Sequence, residues 1–335
     1  NCYIDIGPHY VSLDSSSEIF DEITNLLNKE NIYKISSIKN SYKSFFQGKI
    51  LDRSPTLSHL IKKNKFFLFR GLIQNIFFKP ITITEKTTTD EYLISLYGKS
   101  LYNFWCKPIL LQTYGEIPPL SKTKNQFEPI TIKKIFNFLK NNKKIINDKN
   151  FNSKTFDCYF KNGMGTIIDA FEKEILNSGG KIILNSNIES IEHGKIKNVK
   201  YIQNDKIFSE SGDIILYSIP LSTAIKWFND SPSYLNKKIT SQKTSHGILV
   251  YLLVDKPQLF SGWILTIYDL SIPFFRITQQ TFLSPDVAPT NKTLLCFEIR
   301  IKDDNPLWTL DNNSLFELVI KNLQKIFNLP EKAIQ

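Results

Sequence analysis

The stretch Tyr159-Phe160-Lys161-Asn162-Gly163-Met164-Gly165 opens the part of the chain whose order of elements decides the fold. The residues after it predict a helix over 166–177, which Gly179-Gly180 ends because glycine readily adopts the left-handed conformation of a C-terminal cap. Apolar runs bounded by turn residues then predict strands over 181–184, 188–191, 197–203 and 213–218. The expected unit is a helix, a small meander and a return strand.

The pair Gly163 and Gly165 does not form a dinucleotide fingerprint. That fingerprint needs a third glycine three residues on, and an acidic residue about twenty residues further along the chain. Ile168 stands at the third glycine position, and the strand predicted over 181–184 ends in Asn185. We therefore do not expect this turn to hold a phosphate group.

The chain before this stretch is predicted to be mainly helical. Residues 2–6 indicate a short strand that stops at Gly7-Pro8, and Ser15-Ser16-Ser17-Glu18 offers an N-terminal cap for a helix over 19–27. An amphipathic run that begins at Asp90 predicts a helix ending before Pro108. The lysine-rich and asparagine-rich residues 140–152 are typical of a loop or domain boundary.

The chain after this stretch is predicted to be mostly strand. A helix over 221–228 is followed by four β-rich runs, over 248–254, 263–268, 274–278 and 293–301. These runs are expected to form one mixed or antiparallel sheet. A last amphipathic helix is predicted over 313–327.

Composition excludes several classes of function. The net charge is +10, but only four of the 42 basic residues are arginines and the lysines are spread along the chain, so we expect no nucleic-acid partner. Four scattered cysteines favour free thiols in a reducing, cytoplasmic location, and four scattered histidines indicate no metal site. The apolar stretch 66–83 is interrupted by charged residues, which favours a packed helix pair over a membrane span and leaves peripheral membrane contact open.

Three sets of residues carry a family resemblance. The run Ile4-Asp5-Ile6-Gly7-Pro8-His9 is similar to the Asp-x-Gly-x-His segment of the flavin amine oxidase superfamily. The stretch 97–115 resembles part of that family's helical substrate domain, although Gln112 or Thr113 stands where the family has lysine. The elements over 159–220 resemble its helix, double-glycine and meander block in order and spacing, and residues 247–298 resemble the substrate-domain sheet of its protoporphyrinogen oxidase-like and phytoene desaturase-like members.

This resemblance implies an α/β fold with two discontinuous domains. The Rossmann-like FAD-binding domain would contain residues 1–12 and 153–228, and its N-terminal G-x-G-x-x-G segment is expected to be missing from this sequence. The substrate domain would contain residues 13–152, which are helical, and residues 229–335, which form an α+β part with a mixed sheet. Such a chain is a fragment of a larger flavoprotein.

The resemblance also implies a function, namely FAD-dependent transfer of a hydride from an organic substrate to the flavin N5 atom. Under it, Gly7, Pro8 and His9 flank the flavin ring, while Ile188, Ser218 and Pro220 lie near the nucleotide half. The implied substrate-facing residues are Tyr251, Trp263 and Arg276. Arg276 could bind an acidic group through two parallel hydrogen bonds or form an ion pair with Glu298. The sequence names no catalytic side chain and implies no metal.

Two other functions remain open at this point. One is a redox-neutral flavin sugar mutase, similar to UDP-galactopyranose mutase, which a substrate site rich in arginine and tyrosine would favour. The other is a cofactor-free binding protein on the same scaffold, which the absence of a glycine-rich fingerprint from the full-length protein would favour. The expected partner in the main hypothesis is a small, lipophilic substrate, and its identity and the oligomeric state are not fixed by the sequence.

Overall fold

The computed structural model describes residues 2–7, 9–35, 41–52, 55, 81–123, 127, 155–227, 234, 237, 239, 246–302 and 304–327. By its internal contacts the chain forms two compact units, one of Asn1–Ala170 with Ser245–Gln335 and the other of Phe171–Thr244. The domain boundaries implied by the family resemblance stay a prediction.

Several predicted features lie outside the described residues. They are Pro8, most of the apolar stretch 66–83 and the loop over 140–152. Within the ranges that are described, no helix combines the length and the apolar character that crossing a bilayer requires.

A small antiparallel sheet lies in the first unit. Its strands run in the order β1 (Val11–Asp14), β5 (Thr155–Phe160) and β2 (Ile32–Ile35). The predicted first helix is confirmed as α1 (Glu18–Leu27), where the Ser17 hydroxyl accepts a hydrogen bond from the Phe20 amide. Burying apolar side chains of α1 against this sheet stabilises the pair, and the core consists of Leu13, Ile23, Leu27, Cys158, Phe160 and Ile167.

A larger sheet of six strands forms the rest of the first unit's β-structure. Its order is β4 (Lys49–Leu51), β3 (Tyr42–Phe46), β10 (Ile264–Ile267), β11 (Arg276–Gln279), β12 (Thr293–Ile301) and β9 (His246–Val254). All neighbours are antiparallel except β3 and β10, which are parallel, so the predicted mixed sheet is confirmed. The predicted last helix is confirmed as α7 (Asn312–Phe327), which buries Val319 and Leu323 against one face.

The prediction that the first 150 residues are mainly helical is wrong for β2, β3 and β4. The physical reason is clearest for β3, where Tyr42 pairs with Ile264, a residue far along the chain. Long-range pairing of this kind overrides local propensity and leaves no periodic signal within a short window of sequence.

The helix predicted from Asp90 begins as expected but ends differently. Helix α2 (Thr89–Leu101) starts with a capping box between Thr88 and Glu91, and a π-helical turn (Tyr102–Cys106) joins it to α3 (Lys107–Tyr114). The predicted end before Pro108 is wrong, because Pro108 lies in the first turn of α3, where its missing N–H is tolerated. A short helix, α4 (Leu120–Thr123), follows.

The helix predicted after residue 165 and the strands predicted over 188–191 and 197–203 are confirmed, whereas the third strand of the meander, Lys206–Gly212, was not predicted. Helix α5 (Gly165–Asn177) is followed by Gly179, whose φ of 79° permits its amide to donate to the Leu176 carbonyl. Three antiparallel strands form the meander, β6 (Ser186–His193), β7 (Lys197–Gln203) and β8 (Lys206–Gly212). The predicted helix over 221–228 is a short α6 (Leu221–Ala224) with one 3-10 turn.

Three predicted strands are not strands. Residues 2–6, 181–184 and 213–218 have extended or irregular backbone, and no strand among the described residues pairs with them. A strand needs hydrogen bonds from a neighbouring backbone, so an apolar run alone does not form one. The exposed fractions are 66% for Leu184, 80% for Ile214 and 91% for Leu216.

Replacing a core side chain of α7 should destabilise the first unit. Leu323 is fully buried under the larger sheet, so Leu323→Ala should lower the free energy of unfolding by about 2–5 kcal/mol. Phe316→Ala on the same helix is the control, because Phe316 is 39% exposed and its loss should cost much less. Denaturant unfolding of both variants measures the difference, and equal losses would contradict this packing.

Candidate functional site

The larger sheet carries polar side chains on one of its two faces. Residues directly opposite one another on neighbouring strands project from the same face, so the strand registers define two rows. The tyrosine row consists of Tyr42, Ile264, Thr278, Cys296 and Tyr251. The ion-pair row consists of Ser44, Thr266, Arg276, Glu298 and Leu249. We call the face that bears both rows the polar face.

Aromatic clusters lie on both sides of the ion-pair row. On one side, Trp263 packs edge-on against Tyr10, with ring centroids 5.0 Å apart, in a cluster that includes the two tyrosines and Ile264 of the tyrosine row. On the other side, Phe46 packs against Phe104 at 5.9 Å, in a cluster formed with α2 and α3. The polar side chains are thus bordered by apolar walls, an arrangement typical of small-molecule sites.

Two hydrogen bonds of the Tyr251 hydroxyl hold the segment Asp5–Gly7 against the polar face. Its hydroxyl donates a hydrogen bond to the Asp5 carbonyl and accepts one from the Gly7 amide at 3.0 Å. Burial raises the pKa of the Tyr251 hydroxyl, so it keeps the proton that it donates. The backbone of this segment is therefore held by a side chain of β9.

The Asp5 side chain joins the same segment to the beginning of α5. Its carboxyl group accepts hydrogen bonds from the Tyr159 hydroxyl and from the Met164 amide, the latter at 2.9 Å. Burial raises the pKa of Asp5, and the Met164 hydrogen bond opposes that rise. These bonds hold the Asp-x-Gly segment against residues 159–164.

Two glycines permit this close approach. Gly163 has a φ of 97°, and a Cβ atom there would lie 2.9 Å from a carboxyl oxygen of Asp5. Gly7 has a φ of 90°, a backbone conformation that side chains with a Cβ rarely adopt. A larger residue at either position would push the two segments apart or strain the backbone.

Arg276 and Glu298 form an ion pair in the ion-pair row. The Arg276 Nε and Nη2 atoms donate to the two carboxylate oxygens of Glu298, which is directly opposite on β12. The ion pair considered from the sequence is therefore present. The role of Arg276 toward a substrate stays a prediction.

Trp263 is the predicted site residue that is most deeply buried. It is 1% exposed, and its indole N–H has no partner among the described residues. The side-chain oxygens of Thr278, Gln280 and Ser284 are also buried without a hydrogen-bond partner among the described residues. Buried polar groups without partners are rare in folded proteins and mark places where water or a ligand group belongs.

The remaining predicted site residues are His9, Ile188, Ser218 and Pro220, and none of them belongs to the two rows of the polar face. His9 is exposed, and its Nε2 atom is 2.6 Å from the Ile6 carbonyl oxygen. Ile188 lies in β6 of the second unit, and Ser218 and Pro220 belong to the extended segment before α6. Their assignment to the nucleotide half stays a prediction.

Sequence reasoning missed four residues that the structure places at this face. Tyr42 carries no local signal, because its role comes from a strand pairing that only the folded chain makes, and Tyr159 stood in the quoted stretch 159–165 without a role assigned to it. Asp5 stood inside the quoted motif, but no role was assigned to it. Arg300 could have been found, since it is one of four arginines and lies two residues after Glu298 on the same strand.

Comparisons with known proteins show similarity of fold. No family model and no curated protein matches the chain. A solved structure of reduced UDP-galactopyranose mutase superposes with a TM-score of 0.72 at 16% identity, covering 98% of this chain and 70% of the mutase. A proposed protoporphyrinogen oxidase from Exiguobacterium sp. 255-15 gives a TM-score of 0.65 at 16% identity, covering 98% of this chain and 73% of that protein.

An oxidoreductase from Methanosarcina mazei is also similar, with a TM-score of 0.55 at 15% identity over 91% of this chain and 68% of that protein. The chain has the fold of these enzymes. The expected mixed α/β architecture is confirmed at that level. Identities of this size establish the fold alone.

The raised pKa of Asp5 should make stability depend on pH. A carboxyl whose folded pKa is above its unfolded value contributes stability below the unfolded pKa of about 4 and loses it as pH rises through the folded pKa. The unfolding free energy of the wild type relative to Asp5→Asn should therefore fall as pH rises above roughly 4. Parallel curves from denaturant unfolding at each pH would contradict the assignment.

Proposed function

We propose that this chain is part of a FAD-dependent oxidoreductase that transfers a hydride from an organic substrate to the flavin N5 atom. The observation that supports this most is the fastening of Asp5–Gly7 to the polar face by Tyr251. In the family that the sequence resembles, this segment runs beside the flavin ring. The similarity of fold to solved oxidoreductases and to a mutase agrees with the proposal.

The residues at this segment fit a flat, largely apolar ring. The side chains of Tyr3, Ile4 and Ile6 are exposed by 51%, 55% and 84%, so a ring lying on them would bury apolar surface. Gly7, Pro8 and His9 would flank the ring. The Gly7 amide already donates to Tyr251, so Gly7 would contact the ring through its bare α-carbon. When bound, FAD supplies the redox chemistry, and the protein supplies orientation.

The second unit supports the assignment of a nucleotide-binding half. The segments 181–184 and 213–218 are nearly continuous apolar runs, which are typical of strands buried in parallel sheets. The side chains of Leu184, Ile214 and Leu216 are exposed here, so the two segments present apolar surface that further strands would bury. We propose that the further strands come from a glycine-rich dinucleotide-binding segment outside this sequence. Ile188, Ser218 and Pro220 would then lie near the nucleotide.

The polar face would receive the substrate. Trp263 and Tyr251 contribute to the aromatic side of the face, and Arg276 lies in the ion-pair row beside it. Since aromatic clusters border this row on both sides, a small substrate with an apolar body and a polar group fits the arrangement. Tyr251 orients the Asp5–Gly7 segment, and Glu298 holds the Arg276 guanidinium in one position.

A redox-neutral flavin sugar mutase is the second candidate. The solved mutase covers nearly the whole of this chain, and the polar face brings together tyrosines and arginines. A mutase would interconvert sugar isomers with reduced flavin and would consume no electron acceptor. An oxidoreductase would instead reduce its flavin when substrate is added without oxygen, so an anaerobic substrate screen separates the two.

The experiment that tests the proposal is a visible spectrum of the protein expressed with its native upstream sequence. Bound oxidised flavin is expected to give its characteristic absorption bands, and denaturation should release FAD. A folded full-length protein without flavin and without affinity for added FAD would overturn the proposal. That result would favour a cofactor-free binding protein on the same scaffold.

Substitution of Gly7 tests the place assigned to the flavin ring. Gly7→Ala should lower the amount of bound flavin several-fold, because the new methyl group would occupy the surface on which the ring lies. Gly48→Ala is the matched control, since Gly48 also has a positive φ of 71° but has open space around it. Flavin absorbance per protein measures both variants, and equal retention would contradict the assignment.

A further inference from the structure

Two of the four arginines in the chain lie close together on the polar face. Arg276 is opposite Glu298, and Arg300 follows Glu298 by two residues on β12, so all three side chains project from the same face. Both guanidinium groups also lie over the ring of Phe275, at 5.4 Å for Arg276 and 4.3 Å for Arg300. The group carries two positive charges and one negative charge.

Glu298 forms its ion pair with Arg276 and lies beyond ion-pair distance of Arg300. The two oxygens of Glu298 both accept from Arg276, which therefore has two donor atoms already in use. Within the described part of the chain, no carboxylate lies within ion-pair distance of Arg300. Burial and the charge of Arg276 both lower the pKa of Arg300, and the charge of Glu298 opposes that shift.

The Arg300 side chain is held in place by its surroundings. One Nη1 hydrogen bond of 2.9 Å goes to the Gln112 carbonyl, near the end of α3. Gly115 makes room for the side chain, since a Cβ atom there would lie 2.6 Å from the Arg300 Cδ atom. Among the described residues, these contacts use only Nη1 of the guanidinium nitrogens, and Nε and Nη2 are available to a ligand.

We propose that Arg300 binds an acidic group of the substrate, a carboxylate or a phosphate, on the polar face. A half-buried cation that has no ion-pair partner of its own among the described residues favours an anionic ligand, and a guanidinium matches both groups through two parallel hydrogen bonds. Arg276, already paired, would border the acidic group and supply a second positive charge. This inference rests on the proposed function, because it takes the polar face as the substrate site.

Nuclear magnetic resonance of the arginine side chains tests the inference. The Nε–H signals of Arg276 and Arg300 are assigned by their loss in Arg276→Lys and Arg300→Lys, and the protein is titrated with pyrophosphate in one arm and succinate in another. A saturable shift of the Arg300 signal in either arm is expected, and the arm that binds more tightly identifies the acidic group. No saturable shift of Arg300 in either arm would overturn the inference.

Affinity measurements by calorimetry separate binding from a structural role. Arg300→Gln should weaken binding of the effective anion at least about tenfold, and Arg300→Lys should recover part of it. Lys302→Gln is the control, because Lys302 is a solvent-exposed cation two residues further on, paired with Glu116. Unchanged affinity in a folded Arg300→Gln, or an equal loss in the control, would overturn the inference.

The flavin spectrum separates this inference from the proposed function. The Arg300→Gln variant should bind flavin as the wild type does, and its affinity for the anion should be lost. Loss of anion binding with the flavin retained supports the role of Arg300. Anion binding at Arg300 in a full-length protein that binds no flavin would leave this inference standing and overturn the proposed function alone.

Discussion

The hydrogen bonds of Tyr251 and Asp5 hold the candidate site together. Tyr251 binds the backbone of Asp5–Gly7 to the larger sheet, and the Asp5 side chain binds Tyr159 of the smaller sheet and the Met164 amide before α5. One short segment thus links both sheets of the first unit. Because a buried hydrogen bond left without its partner costs about 1–3 kcal/mol, the loss of either side chain would release this segment.

On the polar face, charged side chains lie between two clusters of aromatic side chains. Glu298 is nearly buried, and it holds one arginine through two hydrogen bonds, while the contacts around Gly115 hold the other. Electrostatic interactions are stronger in such partly dehydrated surroundings than in water. A ligand with an acidic group would therefore gain more here than at an exposed lysine, and its apolar body would contact the flanking aromatic side chains.

The sequence predicted the helices and strands whose signals are local, and it failed for those that depend on contacts between residues far apart in the chain. Local signals sufficed for α5 with its glycine cap, for β6 and β7 of the meander and for the four strands over 246–301. They failed for β3, which depends on pairing with β10, and for 181–184 and 213–218, which have strand-like composition but no described strand beside them. Of the site, the motif at Asp5–Gly7 and the pair Arg276–Glu298 were visible in sequence. The contacts of Tyr159 and Arg300 were not, since they exist only after folding.

The central claim is that Tyr251 fixes the Asp5–Gly7 backbone to the sheet, and amide hydrogen exchange at Gly7 tests it most directly. The wild-type amide should be protected, because it donates to a half-buried hydroxyl, and Tyr251→Phe should remove that protection while the amides of β12 stay protected. Exchange of the wild-type Gly7 amide at the rate of an unstructured peptide would contradict the account.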